Sequence, residues 1–526
     1  MSALNTWEDP TRTSARPPRF GWPGRGAGAA TVVQPAPTWN GTSQQVCGFF
    51  PFAVGAGNPM IGVPVGRNLI TGATVCCDPI SWFQRAHLIN NPSMFVLGLP
   101  AFGKSTWLRR QLAGLTGYGV LPMVLGDLKP DFVPIVRALD GQVISIGPGR
   151  GHLNVLDPGE SKRAADLLVN HPQLRAQVLE DARSRRLTMV TALLAISRGV
   201  SPSDREEAIL SAALDVLEEQ HSGIPVLADL LKVVQAGPEA VRLVAVDRGS
   251  MSRYQEITEN LEASLIALTH SRLGQTFGHQ TSEPMQLDRP IVFDVSGIDE
   301  SDTKLRAAAL LACWSTGFAA VDVAQVLADA GLAPRRHRMI FMDEIWMALR
   351  SGPGMVDRVD AVTRLNRARG VGQAMCSHTM TDMLALPDEA DRMKARGFVE
   401  RAGIKVLGAL PPAEMPHLRT VMSLSKAEEQ LLVGWSDPAA WNKRPGQDTA
   451  PPGRGKFLIK VGNRAGIPVQ LELTAHEVPV NDTNQRWHDL SRIAATPATQ
   501  ALADVLFAVV DEQEARYGAQ NQENPA

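Results

Sequence analysis

The sequence predicts an α/β fold built on a mainly parallel sheet, and three observations carry that prediction. Short apolar runs of strand length alternate with helical patterns: SMFVLG (93–98), KSTWLRRQLAGL (104–115), VLPMVLGD (120–127) and GQVISIG (141–147). Alternation of this kind implies parallel strands covered by helices. Residues 160–270 then read as almost entirely helical, so a helical insertion interrupts the sheet pattern. The pattern resumes at RPIVFDVSG (289–297), RMIFMDE (338–344), GQAMCSH (372–378) and GIKVLGAL (403–410).

Before the first buried strand, residues 46–96 are apolar segments punctuated by Gly and Pro, CGFFPFAV and IGVPVGRNLITGATVCCDP, which predict short strands and tight turns. In the insertion, Ser203 and Glu206 have capping-box spacing. Ile209, Ala212, Ala213, Val216 and Leu217 follow on one helical face. Late strands are predicted in GKFLIKVG (455–462) and PVQLELT (468–474). Leu502, Val505, Leu506 and Val509 give the tail helical spacing. The resulting division is a Pro/Gly/Arg-rich disordered arm at 1–45, a first part of the core at 46–160 and the helical insertion at 161–280. A second part of the core fills 281–480, and a helical and polar tail fills 481–526.

Composition sets the limits. The 526 residues carry 52 basic and 54 acidic side chains, a formal charge of −2, with 44% hydrophobic residues. That supplies a core and argues against binding nucleic acid through bulk positive charge. Arg12, Arg16, Arg19 and Arg25 make the arm locally basic, as a contact for an acidic partner or as a solvated tail. Five cysteines (Cys47, Cys76, Cys77, Cys313 and Cys376) form no C-x-x-C pair, which disfavours a disulfide scaffold or a structural zinc. The most apolar stretch, 307–328, includes Ser315, Thr316, Asp322 and Gln325, and reads as a buried helix rather than a membrane span. A cytoplasmic location is expected.

The chemistry concentrates in Gly98-Leu99-Pro100-Ala101-Phe102-Gly103-Lys104-Ser105, which matches G-x-x-x-x-G-K-[ST] between a strand and a helix. Glycines let successive backbone N–H groups converge on phosphate oxygens. Lys104 supplies a charge, Ser105 a hydroxyl for Mg²⁺, and the helix starting near Lys104 and Thr106 aims its N-terminus at the anion. A second element is the strand Met339–Met342 ending in Asp343 and Glu344. Asp343 suits the Mg²⁺ site, and Glu344 suits polarisation of an attacking water. His378, at another strand end, reads either as a sensor of the phosphate or as an ordinary histidine. Asp127 and Asp131 in DLKPD, and Asp294 in IVFDVSG, read either as site-facing carboxylates or as turn residues. The basic groups Arg335/Arg336/His337/Arg338 and Arg364/Arg367/Arg369 read as pore-lining or as solvated faces.

In this order the motifs resemble the TraC-like (VirB-type) traffic ATPases of conjugation and type IV secretion, in the FtsK–HerA branch of RecA-like P-loop motors. The Gly-rich segment 51–79 is similar to that family's G-x-P-x-G-x-N-x-x-T-G stretch. GDLKPDF (126–132) resembles D-P-x-G-E-Y, with Asp131 in the usual Glu position, and HLNVLDP (152–158) resembles x-x-N-P-L-D. FDVSGI (293–298), FMDEIW (341–346) and the polar pair 377–378 follow in family order. The strand-end sensor is commonly Gln, where this chain has His378. Many members have a large N-terminal docking domain, where this chain has the arm.

The resemblance covers roughly 48–480 and implies a hexameric, ATP- and Mg²⁺-dependent ATPase that powers transfer of DNA or protein or assembly of the channel. It implies ATP bound between subunits, with an arginine supplied in trans by Arg401 or Arg454. It also implies other secretion components as partners, possible contact with DNA, and a peripheral position at the inner face of the membrane through those partners. The alternatives are a DNA translocase of coupling-protein or FtsK/HerA type, and a nucleotide-gated structural ring with little turnover.

Overall fold

The structure, a computed structural model, describes residues 59–350, 354–357, 359–360, 370–438 and 451–481. The expected strand in CGFFPFAV, the N-terminal arm, Arg364/Arg367/Arg369 and the tail helix lie outside the described residues.

Eleven strands form one sheet: β1 (Pro64–Asn68), β2 (Thr74–Cys76), β3 (Ser93–Leu97), β4 (Leu121–Asp127), β5 (Gln142–Ser145), β6 (Ile291–Asp294), β7 (Arg338–Met342), β8 (Val371–Ser377), β9 (Ile404–Leu407), β10 (Lys456–Lys460) and β11 (Ile467–Leu471). Their spatial order is β2-β1-β11-β10-β9-β3-β8-β7-β4-β6-β5. The seven from β9 to β5 run parallel. The β10, β11, β1 and β2 strands extend the sheet in antiparallel fashion. This reversal brings the start of β10 to the edge where the parallel strands end.

The central strands are apolar throughout because both faces are covered. Alternate side chains enter separate cores. Phe95, Leu97, Ile340 and Met342 pack on one face with the helical insertion. Met94, Val96, Met339 and Phe341 pack on the other with Trp107 and Phe457.

Between β5 and β6 the chain forms the helices Glu160–Leu167, Pro172–Arg198, Asp204–Gln220, Leu227–Ala236, Glu239–Ala245, Met251–His270 and Arg272–Phe277. The capping box is made at Ser203 and Glu206. Ile209, Ala213, Val216 and Leu217 are buried as their spacing requires, while Ala212 is half-buried. Leu210 and Leu214 are buried as well, because neighbouring helices cover a second side.

The apolar stretch 307–328 lies in the helix Thr303–Asp329. Among the described residues this helix alone is long and apolar enough to cross a membrane, and 72% of its apolar window is buried. Trp314 Nε1 donates to the Leu125 carbonyl at 2.8 Å, which fastens the helix to β4. Cys76, Cys77, Cys313 and Cys376 are buried free thiols.

Candidate phosphate-binding and hydrolytic site

The site lies where the parallel strands end. After β3 the chain turns through 98–103 into the helix Lys104–Gly117. The Gly98 N–H donates to the His378 carbonyl, and the Leu99 N–H to that of Ala409, both at 2.9 Å. The loop is therefore pinned to the ends of β8 and β9. A Cβ on Gly98 would stand 3.2 Å from the Gly408 Cα, so any side chain there would press two close backbones apart by a few tenths of an ångström. Gly103 adopts φ +101°, which no L side chain takes without strain. Ala101 is left-handed as well, at φ +69°. Pro100 and Thr106 sit within the same turn and first helical turn, and the Phe102 carbonyl accepts from the Gly455 N–H at 3.0 Å.

Side chains from four strand ends converge on this loop. The Ser105 hydroxyl donates to Asp343 Oδ2 at 3.0 Å, across 238 residues of sequence. Asp343 Oδ1 accepts the Glu344 N–H at 2.9 Å. Lys104 is buried and donates to the Leu99 carbonyl at 3.1 Å, within its own loop. A cationic head held only by a loop carbonyl can exchange it for a phosphate oxygen.

Glu344 is buried with φ +48°, a left-handed conformation costing about 1 kcal/mol for a side chain of this size. Its Oε1 accepts from Lys129 Nζ at 2.9 Å. Its Oε2 accepts from Trp346 Nε1 at 2.7 Å and lies 3.3 Å from His378 Nε2. Burial pushes this carboxyl up, but Lys129, His378 and Trp346 together outweigh it and hold the acid below its ordinary range. The same surroundings push His378 the other way. Burial, with Lys104 adding repulsion, lowers its pKa against the opposing pull of Glu344. His378 Nε2 therefore stands within ion-pair distance of Glu344 while burial opposes its protonation. His378 Nδ1 and the adjacent Ser377 Oγ are buried without partners among the described residues.

The segment after β4 lines the site. Asp127 is buried and accepts the Phe132 N–H at 2.8 Å. Burial raises its pKa to about 8 against that hydrogen bond, with Asp131 and Asp343 adding repulsion. Asp131 is also raised by burial, against the pull of Arg109. The Arg109 guanidinium is 1% exposed and donates to the Asp131 carbonyl at 2.9 Å, to Asn481 Oδ1 at 2.6 Å and to Thr106 Oγ1 at 3.5 Å. Both carboxylates of DLKPD therefore belong to the site region. Asp294 does not join it; it accepts from Arg150 at 3.2 Å and from Ser296 at 2.6 Å at the end of β6.

The two candidate arginines part company. Arg454 precedes β10, and the neighbouring Gly455 Cα lies 3.7 Å from the position of a Cβ on Gly103. The Arg454 side chain is exposed and has no partner among the described residues, so it stands beside the phosphate loop of its own chain. Arg401 ends the helix before β9, at the other end of the strands. Its carbonyl accepts from Asn91, just before β3, and its guanidinium bonds Asp360 at 2.5 Å. Arg335 and Arg338, by the start of β7, bond Asp329 and the Leu287 carbonyl.

The sequence reading missed Lys129, Trp346 and Arg109. Lys129 had a visible signal, since DLKPD follows a buried strand. Trp346 and Arg109 sit on helices with ordinary patterns and gave none. A cavity of about 240 Å³ lined by Asn154, Arg186, Met189, Phe293 and Ser315 opens between the insertion and the core, and contains no residue of the phosphate loop.

No protein-family model matches the chain, and no curated protein matches it. Among solved structures it is similar to VirB4 of Thermoanaerobacter pseudethanolicus, with TM-score 0.57 and 18% identity over 80% of this chain and 99% of that one. It also matches the plasmid coupling protein TrwB in complex with ADP and Mg²⁺, with TM-score 0.43 and 14% identity over 80% of this chain and 97% of that one. A third match is the coupling protein TrwBdeltaN70 in an unbound form, with TM-score 0.42 and 12% identity over 78% and 88%. The chain has the RecA-like P-loop fold of VirB4.

Proposed function

We propose that this chain is an ATP-hydrolysing motor of a conjugative transfer or type IV secretion apparatus. The observation that carries the reading is the junction of Lys104, Ser105, Asp343 and Glu344 at one sheet edge, with Ser105 and Asp343 in direct contact. The orphaned Ser377 Oγ and His378 Nδ1 beside the loop fit a site that completes its hydrogen bonds with a ligand. The VirB4-like fold supports the placement in secretion.

Oxygen donors from Ser105 and Asp343 suit a hard divalent cation, so these two residues would hold Mg²⁺. The cation supplies charge stabilisation to the transferred phosphoryl group. The N–H groups of 101–106 would cradle the phosphates, since those of Gly98 and Leu99 are taken by the His378 and Ala409 carbonyls and Pro100 has none. Lys104 exchanges the Leu99 carbonyl for a phosphate oxygen, and Glu344 orients and polarises the attacking water. The motor works as a homo-oligomeric ring, a hexamer, with other secretion components. It sits at the inner face of the membrane through those partners and moves DNA or protein or drives channel assembly.

The test is ATP hydrolysis by the purified chain with Mg²⁺, with and without single- and double-stranded DNA, while particle mass is recorded in the same buffer. Turnover that rises with ring formation and is lost in Lys104→Ala supports the reading. DNA stimulation with salt-sensitive binding favours a DNA translocase. Nucleotide binding without turnover in an assembled ring would leave a structural subunit instead.

A further inference from the structure

We propose that Lys129 is a restraining residue that holds Glu344 away from the attacking water until nucleotide engagement withdraws it. The inference rests on the hydrolytic reading of Glu344 and deepens it. A carboxylate offers about four lone-pair positions. Two are engaged by hydrogen bonds, from Lys129 at 2.9 Å and Trp346 at 2.7 Å, one on each oxygen, and His378 Nε2 stands 3.3 Å from Oε2. The acid that must accept a hydrogen bond from water thus has both of its oxygens held by its own chain. The three partners differ in mobility. Trp346 lies two residues away on the same short helix, and His378 ends a central strand whose carbonyl fastens the loop. Lys129 alone comes from a loop, and its side chain is half-exposed.

That loop is wired to the phosphate-binding helix. Gly126, with φ +118°, and Pro130 flank Lys129. The Asp131 N–H turns back onto the Lys129 carbonyl. Asp131 in turn accepts from Arg109, whose buried guanidinium also reaches Thr106 at the loop's end. A shift of Thr106 on phosphate binding therefore has a continuous path through Arg109 and Asp131 to Lys129. The ion pair breaks, Glu344 keeps Trp346 and His378 for orientation, and one carboxylate oxygen turns to water. Lys129 acts through Glu344 and is a positioning residue.

The test compares Lys129→Met and Lys129→Arg with the unaltered chain by steady-state ATP hydrolysis, separating kcat from KM and recording the melting temperature of each. Lys129→Met is expected to raise kcat roughly tenfold, the equivalent of one charge-assisted hydrogen bond, with KM and melting temperature little changed. Lys129→Arg, which keeps the bond, is expected to stay near the starting rate. Adding Glu344→Gln to Lys129→Met must abolish the gain. A raised KM with unchanged or lower kcat would make Lys129 a phosphate ligand and overturn the restraint. Turnover in the unaltered chain, lost in Glu344→Gln but not raised in Lys129→Met, would overturn the restraint and leave the motor reading standing. Absence of turnover in the unaltered chain and in Lys129→Met alike would overturn both.

Discussion

The two ends of the parallel strands treat their cations differently. At the end where the strands begin, Arg401, Arg338 and Lys405, the last on β9, are each held by partners. Arg401 bonds Asp360, Arg338 the Leu287 carbonyl, and Lys405 the carbonyls of Glu400 and Ala402. At the end where they finish, Lys129 and Arg109 are also bonded, but Lys104 has only a carbonyl of its own loop and the exposed Arg454 has no partner among the described residues. Buried or clustered polar groups left short of partners mark places where a ligand completes the set. The contrast separates charge used for structure from charge reserved for chemistry, and it predicts which substitutions damage turnover and which damage stability.

The largest effects belong to the reserved set. Lys104→Ala is expected to lower kcat/KM for ATP by about a thousandfold or more, since it removes the cation that would stabilise the transferred phosphoryl group; phosphate release at varied ATP measures it. Arg454→Ala, beside the loop of its own chain, is expected to lower turnover by about tenfold to a hundredfold. Mixing Arg454→Ala chains with Lys104→Ala chains sharpens the point. If Arg454 serves its own chain, mixed rings stay inactive. If it serves a neighbour, mixing restores activity, and the placement drawn here fails.

Gly98→Ala is smaller in chemistry but not in packing. Its Cβ would meet Gly408, and a cost of about 1–3 kcal/mol in stability follows from overpacking. A melting temperature unchanged from the native chain would show that the two backbones can separate. Arg401→Ala, at the structural end, is expected to leave kcat and KM within about twofold and to lower the melting temperature modestly, as loss of one half-exposed ion pair does.

Stability also depends on pH through Asp127. Asp127 keeps its proton up to about pH 8 in the folded chain, whereas the ordinary carboxyl value is 3.8. Between these values the unfolded chain has released a proton that the folded chain retains, so this group's contribution falls as pH rises through that window and is lowest above 8. Asp127→Asn removes the titration and can still accept the Phe132 N–H. Its melting temperature, measured against the native chain, is expected to gain most at pH 9 and least near pH 5. An offset independent of pH would contradict the assignment.

Much of this was legible in the residues, for reasons of period and punctuation. Fully buried strands such as SMFVL and RMIFM are apolar on both faces, and glycine with lysine and serine marks the loop between strand and helix. Thus β3 through β11 were readable as strands, as was the helical stretch from Glu160 onward. The order of strands was not readable. That β10 and β11 fold back antiparallel beside β9, and so carry Arg454 to the phosphate loop, depends on pairing between distant segments that leaves no local pattern. The environment of Glu344 was hidden for the same reason. Lys129 lies 215 residues away from it, and the His378 pKa is lowered by burial beside Lys104, which only the assembled sheet creates.

The central claim is that Glu344 and the phosphate loop form one hydrolytic site. It is tested most directly by measuring, in the same samples, bound ATP and released phosphate for the native chain and for Glu344→Gln with Mg²⁺. Equal ATP binding by both, with phosphate release only by the native chain, is expected. Equal phosphate release by both, or loss of binding in the variant, would contradict it.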